Sequence, residues 1–218
     1  MAKEEAKKKA CVLTVFYHEG DLPDGLNLGS SVAIDSETMG LRFRRDPLCV
    51  VQLSAGDGHA HVVRMSRPDY NCPNLKKLLT DPNVLKLFHF GRFDIGMFEL
   101  HLGVTTAPVY CTKIASKLAR TYTDRHGLKD LTRELLSVDL SKAQQSSDWG
   151  QATLSAEQLA YAASDVLHLH ALKEKLDLML VREGRDQLAK AAMEFLPHRV
   201  KLDLAGWEDC DIFAHSWA

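Results

Sequence analysis

Two hydrophobic rhythms follow one another along this chain, and their order constrains the fold more than any single residue. Up to residue 90 the apolar residues fall in short β-branched or alternating runs: VLTVFY (12–17), SVAID (31–35), LCVVQLS (48–54), HAHVVRM (59–65) and VLKLFHF (84–90). Gly, Pro and Asp separate these runs, as expected of strands joined by turns. From residue 93 the spacing becomes helical, through FDIGMFELHLG, CTKIASKLARTY, LKDLTRELLSV and a long segment from about 155 to 183. One helix candidate, PNLKKLLT, lies among the strands. Strands first and helices later predict a mixed α/β layer structure more than a strict strand–helix alternation. The 218 residues, 45% apolar and 26% charged, suit one globular core and argue against disorder or a disulfide-stapled miniprotein. The expected organisation is a solvated Lys-rich segment over 1–10 and a single domain over 11–218, its aromatic C-terminal tail docked on this chain or on a neighbour.

Charge narrows the partners. With 27 Lys and Arg against 29 Asp and Glu, the formal charge is −2, too little basic surface to grip long nucleic acid over many phosphates. Five cysteines in no C-x-x-C spacing indicate neither a disulfide framework nor a zinc site. No run approaches the roughly 18 apolar residues of a membrane span, and MAKEEAKKKA lacks a signal-peptide core. These features predict a cytoplasmic protein without membrane contact.

Three short patterns carry chemistry. In VAIDSET, Asp35 and Glu37 sit two apart at the end of an apolar strand, so both carboxylates project from one face. Such a pair suits Mg²⁺ or Mn²⁺, although solvated strand-end acids have the same pattern. In LFHFGRFDIGMFEL, Asp94 follows a strand and a Gly91 turn and opens a helix. That position complements a helix dipole, and it also marks the strand edge where open α/β sheets gather ligands. In YAASD, Tyr161 and Asp165 share one helical face, and a continuous helix would extend that stripe to His168 and Leu172. Ser155 and Gln158 have capping-box spacing at the start of this helix. Individually these are ordinary features. Together, four carboxylates and a tyrosine make the donor set of a two-metal phosphodiester hydrolase.

D-x-E, H-x-G-x-F-D and Y-x-x-x-D in this order resemble the DEDDy class of 3'-5' exonucleases typified by ribonuclease D. TDRHGLKDL, QQSSDW, YAASDVLHLH and DIFAHS are more similar still to the nanoRNase C family of diribonucleotide-degrading enzymes. The resemblance implies a ribonuclease H-like fold, with a mixed sheet of about five strands, one of them antiparallel, flanked by helices. It implies that Asp35, Glu37, Asp94 and Asp165 hold two divalent ions, Mg²⁺ or Mn²⁺, and that Tyr161 orients the hydrolytic water. It further implies a homo-oligomer, an octamer in this family.

For substrate contacts the resemblance points to Leu41, with Met39 nearby, as a wedge against a terminal base, although a turn leucine can equally be buried. His89 is placed near the scissile phosphate or in the core, and Trp149 against a base or in packing. Lys113, Lys117 and Arg120 have the spacing of one helical face, which either meets a substrate phosphate or is simply solvated. The expected activity is 3'-5' hydrolysis of dinucleotides, including linear products of cyclic-di-GMP breakdown, and the chain's modest length and charge favour so small a substrate. A ribonuclease D-like enzyme trimming tRNA ends or DNA, and an inactive nucleic-acid-binding or scaffold module, are the competing readings.

Overall fold

A computed structural model describes residues 14–141, 144 and 146–215; the Lys-rich start, Gln145 and Trp217 lie outside the described residues. The strands are β1 (Thr14–Glu19), β2 (Ser31–Thr38), β3 (Leu48–Ser54), β4 (His59–Arg64), β5 (Leu85–Phe88) and β6 (Val109–Cys111). They form one sheet in the order β1-β4-β3-β2-β5-β6. β3 runs antiparallel to both its neighbours, and all other pairings are parallel. The sheet thus has six strands rather than about five. The sixth, VYC, spans three residues directly after Pro108, too short to show a period in sequence.

The helices are α1 (Pro73–Thr80), α2 (Arg92–Leu102), α3 (Thr112–Ala119), α4 (Leu128–Leu131), α5 (Ala156–Val166), α6 (Leu169–Arg182) and α7 (Asp186–Leu202). One face of the sheet, with Val32, Ile34, Val51, Leu53 and Val63, buries Leu75 and Leu79 of α1 and Ile95, Met97 and Phe98 of α2. The opposite face, with Ala33, Ala60 and Leu87, buries α3, α5 and the Leu169, Leu172, Leu176, Leu180 stripe of α6. α7 joins the two layers, sending Leu196 and Val200 to the first core and Ala189 and Met193 to the second. Its 189, 193, 196, 200 spacing is helical, but Pro197 falls in the middle and masks it in sequence.

The segment 155–183 is two helices. The chain turns at Leu167–His168 because α5 lies on β2, β3 and β4 whereas α6 lies against α3 and β5. His168 is therefore the N-cap of α6 and Leu172 is fully buried, so neither extends the Tyr161–Asp165 stripe.

After α7 the chain makes a wide turn over Asp203–Trp207 and docks on its own body. The buried Asp203 carboxylate accepts from Arg92 at 2.5 and 2.7 Å and pairs with Arg199 at 3.2 Å. Arg44 donates to the Leu204 carbonyl at 2.9 Å, and Arg199 to those of Glu208 and Cys210 at 2.8 and 3.2 Å. Among the described residues, no helix is long and apolar enough to cross a membrane.

Candidate active site

The pleat of β2 splits the site between two faces. Val32 and Ile34 belong to the α1/α2 core and Ala33 to the α5 core, so Asp35 and Glu37 project toward α5 while Ser36 projects toward α2. The register with β3 shifts between Glu37 and Thr38, ending regular pairing just past the acids. Directly across the ladder, Gln52 donates to Asp35 Oδ2 at 2.6 Å. It is a fully buried amide within LCVVQLS, an otherwise buried run.

α5 brings the next two groups. Ser155 accepts from the Gln158 backbone at 3.2 Å and donates its own backbone N–H to Gln158 Oε1 at 2.9 Å, completing the capping box. Gln158 Nε2 also donates to Ser147 Oγ and the Asp148 carbonyl, at 2.9 and 3.0 Å, tying the 147–149 loop to the helix. Trp149 is thereby seated against Tyr161, ring centroids 6.1 Å apart. Oxygens of Asp35, Glu37 and Asp165 converge to within 4.8 Å of one another.

Asp94 arrives from the other face. At the end of β5 a tight turn leads into α2: a Cβ on Gly91 would lie 2.6 Å from Phe88 Cβ, so only glycine fits. Asp94, in the first turn of α2, accepts from Ser36 Oγ at 2.6 Å. It is not one of the three acids whose oxygens lie within 4.8 Å of one another, but all four border one cavity of about 700 Å³.

Burial is the main force on these groups. It raises Glu37 to about 9, with help from the charges of Asp165 and Asp94, and raises Asp94 and Asp165 to about 7. Asp35 is held well above the usual carboxylate range by burial and then by Asp94, Asp165 and Glu37. The Tyr161 hydroxyl is pushed above the ordinary phenol range by burial and the adjacent Asp165, Glu37 and Asp35 carboxylates. Desolvated oxygens of like charge, with no ammonium or guanidinium bonded to them among the described residues, fit a hard divalent cation.

These elevations have a sign. Acids whose folded pKa exceeds the unfolded value stabilise the fold at low pH, and that contribution is lost as pH rises through the folded pKa. The metal-free protein should therefore lose Tm as pH is raised from about 4, where the unfolded carboxyls ionise, to about 9, with Mg²⁺ flattening the decline. Thermal melts in chelator and in Mg²⁺ check this; a flat metal-free profile would contradict it.

The remaining sequence candidates separate. Met39 and Leu41 border the cavity, Leu41 with 82% of its surface exposed. His89 borders it too; burial, then Lys113, lowers its pKa to about 3. Its Nδ1 lies 2.9 Å from Thr112 Oγ1, whose hydroxyl also reaches the Phe88 carbonyl at 3.1 Å. Trp149 lines the cavity as well, but is buried and packs against Tyr161 as an anchor for the α5 loop.

Lys113 and Lys117 stay on the α3 surface, but Arg120 does not share their face. α3 ends at Ala119, and the non-helical backbone of Arg120 turns its side chain inward. Fully buried, Arg120 pairs with Glu134 and donates to Ser116 Oγ and the Arg125 carbonyl, which braces the following loop and removes it as a surface phosphate contact. Gln52, Ser36 and Phe90 enter the site without having been singled out in sequence, whereas Lys129 lines the cavity from the TDRHGLKDL motif. Gln52 alone left a signal, as a polar residue inside an apolar strand.

A family model described as 3'-5' exonuclease matches residues 21–181. The structure of Brucella melitensis NrnC with bound Mg²⁺ superposes with a TM-score of 0.89 at 53% identity, covering 93% of this chain and 100% of that one. The same protein bound to pGG gives 0.90 at 54% identity, covering 94% and 100%. Granulibacter bethesdensis ribonuclease D is 38% identical over 154 residues, 71% of this chain but only 38% of that protein's length. The acid cluster, the sheet that presents it and these likenesses agree: the chain belongs to the 3'-5' exonuclease family, in the branch that includes NrnC.

Proposed function

We propose that this chain is a 3'-5' exoribonuclease that hydrolyses very short RNA, dinucleotides above all, to nucleoside 5'-monophosphates with the help of two divalent ions, Mg²⁺ or Mn²⁺. Linear dinucleotides from cyclic-di-GMP breakdown fall within that class. The observation that carries the reading is the convergence of Asp35, Glu37 and Asp165, backed by Asp94, in a cavity of about 700 Å³. That volume is in the range of small-ligand pockets. The pGG bound by the Brucella relative is a substrate-sized molecule of the same class.

Asp35, Glu37, Asp94 and Asp165 are the residues that would hold the ions. When bound, divalent ions lower the pKa of attacking water and offset charge on the departing oxygen. The chain's own residues do the positioning. Gln52 fixes Asp35, and Ser36 fixes Asp94, so each carboxylate presents a defined oxygen. Tyr161, locked by Trp149 and hydrogen-bonded to Asp165, keeps its proton and is suited to orient water beside the phosphate rather than to act as a phenolate base. Tyr161→Phe should lower kcat by on the order of 10²-fold with KM little changed; a wild-type kcat would remove the hydroxyl from the reaction.

The deciding experiment is a length series of 5'-labelled RNA, from dinucleotides to tRNA, alongside DNA oligonucleotides, with Mg²⁺ and with Mn²⁺. We expect kcat/KM to be highest for the dinucleotide. Equal or greater efficiency on tRNA or DNA would assign ribonuclease D-like trimming, and RNA binding without hydrolysis in either metal would leave a binding module. The octamer belongs to the same reading, and its check is the sedimentation mass in solution.

A further inference from the structure

Three non-glycine residues among those described have a left-handed backbone: Tyr70 (φ 47°), Phe90 (φ 71°) and Ser137 (φ 58°). This conformation is unfavourable for L-residues and persists where surroundings compensate or function requires it. Tyr70 is compensated: its ring is buried against His101 and its hydroxyl donates to the Leu48 carbonyl. Ser137 is a small residue at a helical C-terminus, where such a backbone is usual. Phe90 has neither excuse. Its ring is 48% exposed, so burial returns little for the strain.

The neighbouring sequence explains how the turn is held. Gly91 lies against Phe88, the Phe93 N–H donates to the Phe90 carbonyl at 3.1 Å, and Asp94 follows in the site. Left-handed backbone at position 90 sends an aromatic side chain to the wall of the cavity that Asp35, Glu37 and Asp94 share, where Leu41 also stands exposed. Lys113 Nζ sits 4.4 Å from the ring centroid, a cation–π contact that fixes the ring and places a positive charge beside it. An aromatic face and an exposed aliphatic on the wall of the carboxylate cavity, with an ammonium against the ring, match the parts of a nucleotide: base, ribose edge and phosphate.

We propose that Phe90 is a base-stacking residue that sets affinity for the substrate, held in a strained turn for that purpose; the proposal rests on the exoribonuclease reading above. Every base has a π face, so the contact tolerates sequence and favours purines over pyrimidines at the stacked position.

The test compares wild type, Phe90→Gly, Phe90→Ala and Phe90→Trp on a purine dinucleotide and on two analogues, each lacking one of the two bases. Base–aromatic stacking energies translate to a rise in KM of roughly 10-fold for Phe90→Gly and Phe90→Ala, with kcat held within about 3-fold because the acids are untouched. Phe90→Trp should recover wild-type KM. On the analogue lacking the stacked base, wild type and Phe90→Gly should become equal. Glycine accepts the left-handed turn, so Phe90→Gly should melt above Phe90→Ala, separating strain from function. Wild-type KM in Phe90→Gly, or the same loss on both analogues as on the intact dinucleotide, would overturn the proposal. Dissociation constants for the same molecules, from calorimetry, read the stacking even if the wild type fails to hydrolyse them, an outcome that would refute the parent reading alone.

Discussion

Asp165→Asn should reduce dinucleotide hydrolysis by at least about 10³-fold and at the same time raise the Tm of the metal-free protein. The first effect follows from charge. Asp165 is one of three acids whose oxygens lie within 4.8 Å of one another, and an amide in its place removes a full negative charge from the donor set. Cation stabilisation of the transition state is worth several kcal/mol, and each 1.36 kcal/mol is tenfold in rate, so losing most of it costs on the order of 10³-fold or more. The second effect has the same origin with the opposite sign. Without a cation, burial holds Asp165 at about 7, and its charge helps to raise Asp35 and Glu37 above their usual range. A neutral amide removes that charge, and a gain of about 1 kcal/mol corresponds to roughly 2–4 °C in a chain of this size. Steady-state kinetics and melts in chelator check both. Wild-type turnover in the variant would sink the assignment of Asp165, and a lower metal-free Tm would show that the carboxylate contributes packing rather than strain.

The largest stability effect belongs to a residue far from the chemistry. Asp203→Ala should destabilise the protein by about 3 kcal/mol, a fall of roughly 6–12 °C in Tm. The Asp203 side chain is 1% exposed and faces two guanidiniums, Arg92 and Arg199, which are 35% and 21% exposed. Breaking a fully buried pair costs about 3–5 kcal/mol; partial exposure lets both arginines turn toward water and trims the loss. Replacing Asp203 and Arg92 together with apolar residues should recover part of the stability, since the uncompensated charge would then be gone. The control is Lys190–Glu194, a 3.9 Å pair exposed on both sides, whose removal should change little. A Tm shift for Asp203→Ala no larger than that of the control would refute the claim that the tail is anchored through this carboxylate.

Residue by residue, legibility followed the range of the interaction involved. Period two in β2 placed Asp35 and Glu37 on one face, and the Ser155/Gln158 spacing marked the start of α5; both are contacts within a few residues. The four-residue spacing of Tyr161 and Asp165 survives because α5 lasts until Val166, whereas the longer stripe to His168 fails where the chain turns onto a different layer. Arg120 missed its expected face because α3 stops one residue earlier, a termination with no glycine or proline to announce it. In α7, Pro197 argued locally against a helix that Leu196 and Val200 maintain by burial against the sheet core.

Sequence alone established the strand-then-helix class, the identities of the acids and the tyrosine, and the family resemblance, because these depend on residue type and short-range periodicity. Tertiary structure decided that Asp94 meets the other acids from the opposite face through Ser36, that Gln52 orients Asp35, that Arg120 is an internal brace, and that Asp203 ties the tail to α2. Each of these joins residues whose pairing depends on how strands and helices are layered or where a helix stops, and no local rule of spacing carries that information.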